Sequence, residues 1–172
     1  MNPERRAEIV RILEESDAVI CASVAEVPEE RLGICPEPGR WSVFEIVEHV
    51  AVAEVGMFRL LQSATSAEMS LEDPAREARL AARIGSRESL GKAPERAHPK
   101  GRFADCPEAL SKFRAAREQT IRFARNADTD LFRVSAVHPL FGTVNGFELL
   151  LIMAGHARRH ADQIREIRRA VA

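Results

Sequence analysis

Apolar residues recur at helical spacing in four long segments of this chain, and this periodicity constrains the fold more than any other feature. The spacing is clear in the first segment, where one stripe contains Val10, Leu13, Ile20 and Val24. The Val, Ile, Phe and Thr residues do not form the short alternating runs that indicate strands. The pattern therefore predicts an all-α fold, and four long segments predict a four-helix bundle.

Start and stop signals place the first three predicted helices at about 3–25, 42–67 and 107–126, and the fourth from its cap at 143 or 145 to about 169. Ser42 and Glu45 form a capping box at the start of the second helix, in which each side chain bonds a free amide of the first turn. The fourth helix has a capping residue at Thr143 or Asn145. These signals indicate helix ends that the sequence itself specifies.

The connection between the second and third predicted helices is long. It contains a predicted helical piece over 71–84, and then the helix-breaking residues Gly91, Pro94, Pro99 and Gly101. Short connections make neighbouring helices antiparallel, whereas a long crossover lets them run parallel. We therefore expect an up-down-down-up bundle that forms one domain over residues 1–172.

Charge and cysteine usage exclude several classes of protein. The chain has 25 Lys and Arg against 26 Asp and Glu, so no net field favours nucleic acid or an anionic membrane as partner. The N-terminus does not resemble a signal peptide, and no apolar run approaches the ~18 residues of a membrane span. We expect a cytoplasmic protein. Cys21, Cys35 and Cys106 lack CxxC spacing, which argues against disulfides and thiolate zinc sites.

Three of the five histidines are predicted to meet inside the bundle. His156 and His160 are four residues apart, so both project from one face of the fourth helix. His49 lies near the apolar stripe of the antiparallel second helix, roughly 10 Å from its start at ~1.5 Å per residue, a depth close to that of the pair. We predict that the three imidazoles bind one divalent metal ion. The alternative is that a carboxylate or carbonyl satisfies His49 and that the other two are surface residues.

Residues near the predicted site are candidates for supporting roles. Gln163 lies one turn beyond His160 and can fix an imidazole by a hydrogen bond. Arg158 and Arg159 either orient an anionic group of a thiol substrate or are ordinary surface residues of the last helix.

The start of the second helix supplies further candidates. Glu45 and Glu48 are either general bases or, as is more common, capping and solvated carboxylates. Trp41 either lines the mouth of the site or seals the end of the bundle. His138 is expected near the opposite end of the bundle and His98 in the crossover, so neither is predicted to be a ligand.

Three blocks of the sequence resemble the DinB-like superfamily, namely residues 41–50, 138–142 and 156–164, which read WSVFEIVEHV, HPLFG and HARRHADQI. The resemblance implies an up-down-down-up four-helix bundle in which three histidines bind zinc, nickel or a similar ion at one open end. His49, His156 and His160 match those ligands. In the mycothiol-linked maleylpyruvate isomerase branch a glutamate replaces one ligand, and this chain departs from that pattern.

The same resemblance implies more than one function. Some members resemble thiol-dependent S-transferases that use a low-molecular-weight thiol such as bacillithiol or mycothiol, and others are damage-inducible stress-response proteins of unknown activity. A three-histidine site keeps one coordination position open. Our leading hypothesis is an S-transferase that joins a small-molecule thiol to an electrophile, with no catalytic residue assigned. A metal-dependent hydrolase and a non-catalytic metal-binding bundle are the alternatives, and a homodimer is compatible with the sequence.

Overall fold

The computed structural model describes residues 1–66, 72–86 and 93–171, which form a mostly helical protein. The α-helices are α1 (Pro3–Ala25), α2 (Val43–Gln62), α3 (Pro74–Gly85), α4 (Cys106–Asn126) and α5 (Gly146–Ala170). Short strands are β1 (Thr65–Ser66), β2 (Val134–His138) and β3 (Gly142–Asn145), and 3₁₀ turns lie at Glu29–Arg31, Glu95–Ala97 and Leu131–Arg133. The predicted four-helix bundle is confirmed, with α1, α2, α4 and α5 as its long helices. No helix in these described ranges has the length and apolarity that crossing a membrane requires.

Contacts between the long helices give their directions. Between α2 and α4 the residue numbers of contacting pairs rise together, from Glu54–Arg117 to Phe58–Phe123, so these two helices are parallel. The same holds between α1 and α5, from Glu15–Arg158 to Glu26–Arg168. Between α1 and α4 the residue numbers rise on one helix and fall on the other, from Arg6–Ala124 to Leu13–Arg117, so these helices are antiparallel. These pairs describe an up-down-down-up order, with the long crossover between the parallel helices α2 and α4.

The helices begin where polar side chains cap them. Each of the five starts after an Asn, Ser or Asp that accepts a hydrogen bond from a backbone amide of the first turn. The predicted Ser42/Glu45 capping box is present at α2, and Asn145 forms a second one with Glu148 at α5. Thr143, the other predicted cap, lies within β3.

The small antiparallel sheet was not predicted. Its strand order is β1-β2-β3, and Thr65 and Ser66 pair with residues of β2. The predicted extension of the second helix to residue 67 is therefore wrong, because α2 ends at Gln62 and residues 65–66 are a strand; residue 67 itself lies outside the described residues. The helical piece predicted over 71–84 corresponds to α3, and residue 71 also lies outside the described part.

The core consists of two apolar clusters separated by polar residues. One cluster packs around Phe147 and Leu150, and the other around Phe113 and Ile164. On every long helix the stretch between the clusters includes polar side chains, and Ser16, Glu54, Arg117 and His156 lie in this intermediate layer. Of the three predicted metal ligands, His156 belongs to this layer, whereas His49 and His160 lie among residues of the second cluster.

Candidate metal centre

The side chains of His49, His156 and His160 meet between α2 and α5. The Nε2 atoms of His49 and His156 are 3.1 Å apart, and one ring nitrogen of each histidine lies within 4.8 Å of the others. Tetrahedral zinc with bonds of about 2.0–2.1 Å separates its ligand nitrogens by about 3.3 Å. The three imidazoles therefore fit a tetrahedral ion with small side-chain movements.

Two of these imidazoles are oriented by hydrogen bonds on the nitrogen that faces away from the triad. His49 Nδ1 donates to the carbonyl of Ala97 at 2.7 Å, and His160 Nδ1 donates to Oε1 of Gln163 at 2.9 Å. A proton on Nδ1 leaves the Nε2 lone pair free to bind a cation. Gln163 thus bonds the imidazole of His160, the residue that it was predicted to contact. The backbone carbonyl that satisfies His49 does so without occupying the ligating nitrogen.

Burial keeps His49 and His156 in the form that binds metals. Burial lowers the pKa of His49 below its ordinary 6.5, and burial together with the neighbouring His160 and His49 lowers the pKa of His156 well below that value. Imidazoles with lowered pKa values are neutral at pH 7, and a neutral imidazole is the metal-binding form.

Glu48 is not part of the cavity lining and anchors the loop that orients the triad. Its carboxylate accepts hydrogen bonds from the backbone amides of residues 100–102 and from the guanidinium of Arg102. Burial by itself would raise the pKa of Glu48, but these hydrogen bonds outweigh it and the pKa is lowered. The loop in turn presents the Ala97 carbonyl to His49. Glu48 is therefore an ionised anchor instead of the general base considered from the sequence.

Glu45 and Trp41 also have defined positions. Glu45 accepts from the amide of Ser42 in the capping box, as the sequence indicated. The Trp41 ring lies 5.0 Å from that of His49 and 5.8 Å from that of His98, measured between centroids. It lines the cavity at the triad and also packs against the second core cluster, so both roles considered for Trp41 are present.

The triad opens into a cavity of about 1280 Å³ between α2, α5, the β2–β3 hairpin and the Glu95–Ala97 turn. His138 lines this cavity from the β2–β3 hairpin, which the sequence did not reveal. His138 is not among the three histidines that meet.

The two arginines beside the histidine pair point in different directions. Arg159 lines the cavity and donates to the carbonyl of Ser86, whereas Arg158 forms an ion pair with Glu15 of α1 at 2.7 Å. Arg159 is therefore the only one of this pair of arginines that faces the cavity.

His98 contacts the carbonyl of Ala93 through Nε2.

The three cysteines lie away from the cavity lining. Burial raises the pKa values of Cys21 and Cys106 to about 11. Cys35 is exposed, and its pKa is raised by partial desolvation and by the nearby Glu45 carboxylate. A thiol with a raised pKa is a poor nucleophile at neutral pH.

We expect iodoacetamide at pH 7.5 to label Cys35 first in the folded protein, because it alone is exposed, and to label Cys21 and Cys106 much more slowly. Peptide mapping by mass spectrometry measures each rate, and labelling in urea should equalise the three. Rapid native labelling of Cys106 would contradict its buried position.

Replacement of Gln163 by leucine should weaken metal binding by about 10- to 100-fold, because His160 loses the acceptor that fixes its Nδ1 proton. Titration against a coloured chelator measures the change. Gln119→Leu is the matched control, since Gln119 lines the cavity on α4 and has no hydrogen bond to the triad in the described structure. Equal weakening by both substitutions would show that Gln163 does not act through His160.

Comparison with known proteins supports the fold and gives the family. No curated protein sequence matches the chain significantly. The structure of YfiT from Bacillus subtilis, described as a probable metal-dependent hydrolase with an unusual four-helix bundle topology, matches with a TM-score of 0.61 at 18% identity, over 98% of this chain and 89% of that chain. At this identity the likeness concerns the fold alone. The family model of the DinB superfamily matches residues 12–164. The chain therefore belongs to the DinB superfamily, as its three sequence blocks predicted.

Proposed function

We propose that this protein is a metal-dependent hydrolase whose divalent ion, zinc or nickel, is bound by His49, His156 and His160. The observation that carries the proposal is the convergence of three imidazole nitrogens on the wall of an open cavity. Structural zinc sites are closed by four protein ligands, whereas catalytic sites have three and keep one position for exchange. Both metals accept imidazole ligands.

The residues of the chain prepare this site for a metal ion in two ways. A divalent ion there supplies Lewis acidity, which makes a nucleophile beside it more acidic and polarises the bond under attack. The Ala97 carbonyl and Gln163 hold two imidazoles in the ligating orientation. Apolar side chains such as Ile152 and Phe141 line the cavity and displace water from around a bound substrate. YfiT, which shares the fold, is described as a probable metal-dependent hydrolase, and this supports the proposal.

A thiol-dependent S-transferase is the second candidate, and one observation favours it. Among the described residues that line the cavity, none is an Asp or a Glu, so no carboxylate is in place as a general base. A thiol has a pKa of about 8.5 and needs no such base when a cation stabilises its thiolate. The cysteines of the chain do not line the cavity, so this thiol would come from a small molecule that attacks a small electrophile.

One set of assays separates the candidates. The metal-loaded protein is tested for hydrolysis of p-nitrophenyl esters with neutral and carboxylate-bearing acyl chains, and for conjugation of cysteine to monochlorobimane. We expect ester hydrolysis that chelation and His156→Ala both abolish. Metal-dependent conjugation without hydrolysis would favour the transferase. Bound metal with turnover in neither assay would indicate a non-catalytic metal-binding bundle.

Chelation should remove the metal and leave the bundle folded. The two apolar clusters are built mostly from side chains of the helices themselves, so we expect the helices to remain packed without the ion. A ligand at a hundred times its Kd adds about 2.7 kcal/mol, and 1 kcal/mol moves the Tm by about 2–4 °C, so we expect a loss of about 5–11 °C with unchanged helicity. Circular dichroism with metal analysis measures both. Collapse of helicity on chelation would mean a structural ion.

A further inference from the structure

The cavity beside the histidine triad is positively charged. Its described lining contains five permanently charged cationic side chains and no carboxylate, namely Arg59, Arg96, Arg102, Lys112 and Arg159. The whole chain has a formal net charge of only −1, so this excess of one sign belongs to the cavity and not to the overall composition. A cavity of this sign attracts anions.

Two of these cations already have partners within the protein. The Arg102 guanidinium bonds the Glu48 carboxylate at 2.8 Å, and Arg159 donates to the carbonyl of Ser86. Arg59 lies ten residues beyond His49 on α2, which is about 15 Å along the helix. Arg96 forms no ion pair within the described part of the chain and is next in sequence to Ala97, whose carbonyl bonds His49.

The position of Arg96 is fixed by the same loop that orients the triad. Ala97 accepts the hydrogen bond from His49, and the Arg102 guanidinium donates to the carbonyls of Arg96 and His98. The backbone carbonyls of Arg96 and of the two residues after it are therefore all held by hydrogen bonds. A fixed backbone limits where this guanidinium can lie in the cavity.

His138 supplies a second donor from the hairpin. It is 8% exposed and accepts a hydrogen bond from the amide of Leu140 on Nδ1 at 3.1 Å, so its proton is on Nε2. Burial, with the Arg96 charge in addition, lowers the pKa of His138 and keeps the ring neutral. Arg96 and His138 line the same cavity, so a charged donor from the turn and a neutral donor from the hairpin face one space. Such a pair suits the oxygens of an anion.

We infer that the site takes a small organic anion, whose carboxylate or phosphate oxygens are bound by the Arg96 guanidinium and the Nε2–H of His138. Apolar lining residues, including Trp41 and Ile152, contact its carbon skeleton, and its reactive bond lies at the histidine triad. The inference depends on the proposed function only where it treats this anion as the substrate.

Binding of three probes that share a benzyl group tests the inference. Phenylacetate and benzylphosphonate are anions with different headgroups, and phenylacetamide is the neutral match for the first. Trp41 is the only tryptophan of the chain and lines the cavity, so its fluorescence reports binding, with calorimetry as a second measurement. The full-length protein is titrated loaded with Zn²⁺ and again after chelation, so that a carboxylate bound only to the metal is recognised.

We expect both anions, or one of them, to bind at least 10-fold more tightly than the amide, before and after chelation. Arg96→Gln should weaken anion binding by about 10- to 100-fold, the range of a charge-assisted hydrogen bond, and leave the amide unaffected. His138→Phe, which keeps a ring without the donor, should weaken it less. Arg11→Gln is the control, since Arg11 is on α1 and is not part of this cavity lining.

Equal binding of acid and amide, or unchanged anion affinity in Arg96→Gln, would overturn the inference. Zn²⁺ titration of the same samples tests the proposed function separately. Anion binding without Zn²⁺ binding would contradict the metal centre alone, and Zn²⁺ binding without a preference for anions would contradict the anion site alone.

Discussion

The His156→Ala variant should be purified with almost none of the metal that the native protein carries at about one equivalent. His156 Nε2 lies next to His49 Nε2, so its removal leaves two imidazoles, and the described structure groups no further His, Cys, Asp or Glu with them. Loss of an outer hydrogen-bond partner alone costs about 10- to 100-fold in metal affinity, and loss of a ligand should cost more. Elemental analysis and chelator competition measure content and affinity.

His49→Ala should have the same effect, because the site draws ligands from two helices. His138→Ala and His98→Ala are the controls and should retain the metal, although both rings lie close to the cavity. Full metal content in both His156→Ala and His49→Ala would rule out the site. Loss in His138→Ala as well would mean that the ion binds elsewhere in the cavity.

The meeting of these histidines could be predicted because it depends on regular geometry. A spacing of four residues places His156 and His160 on one helical face, and the rise per residue gives the depth of His49 on an antiparallel helix. Gln163 follows from the same rule, since residues three apart on a helix are neighbours, and it contacts His160. Local periodicity was sufficient for each of these predictions.

The surroundings of the triad could not be predicted because they depend on irregular backbone. Ala97 bonds His49 across 48 positions of sequence, and Glu48 reaches residues 100–102 across the crossover. His138 enters the cavity through a hairpin whose strands are too short to show alternation, and Gly142, the first residue of β3, has a φ of 70°. No periodic pattern encodes such contacts, so the anion-binding residues were also not apparent.

The polar layer at mid-bundle illustrates the same limit. Glu54 and Arg117 are 63 residues apart in sequence and resemble ordinary surface charges, yet each side chain is only 1% exposed. The Arg117 guanidinium bonds both oxygens of Glu54 and the carbonyls of Leu13 and Met153. One side chain thus connects all four long helices.

Replacement of Arg117 by methionine should lower the free energy of unfolding by about 3–5 kcal/mol, because the Glu54 carboxylate remains buried without its partner. The Tm should fall by about 6–20 °C, at about 2–4 °C for each kcal/mol in a protein of this size. Urea denaturation followed by circular dichroism measures the loss. As control, Arg122→Met removes an exposed ion pair with Glu118 and should change stability by less than about 1 kcal/mol.

The double variant Glu54→Leu/Arg117→Met tests whether the loss comes from the unpaired charge. Replacing a buried ion pair by apolar residues of similar size is often neutral, so the double variant should recover most of the stability that Arg117→Met loses. Thr120 also donates to Glu54 and would lose one acceptor, which limits the recovery. If both variants lose the same stability, the bonds of Arg117 to the backbone of α1 and α5 stabilise the bundle, and the charge of Glu54 does not decide the effect.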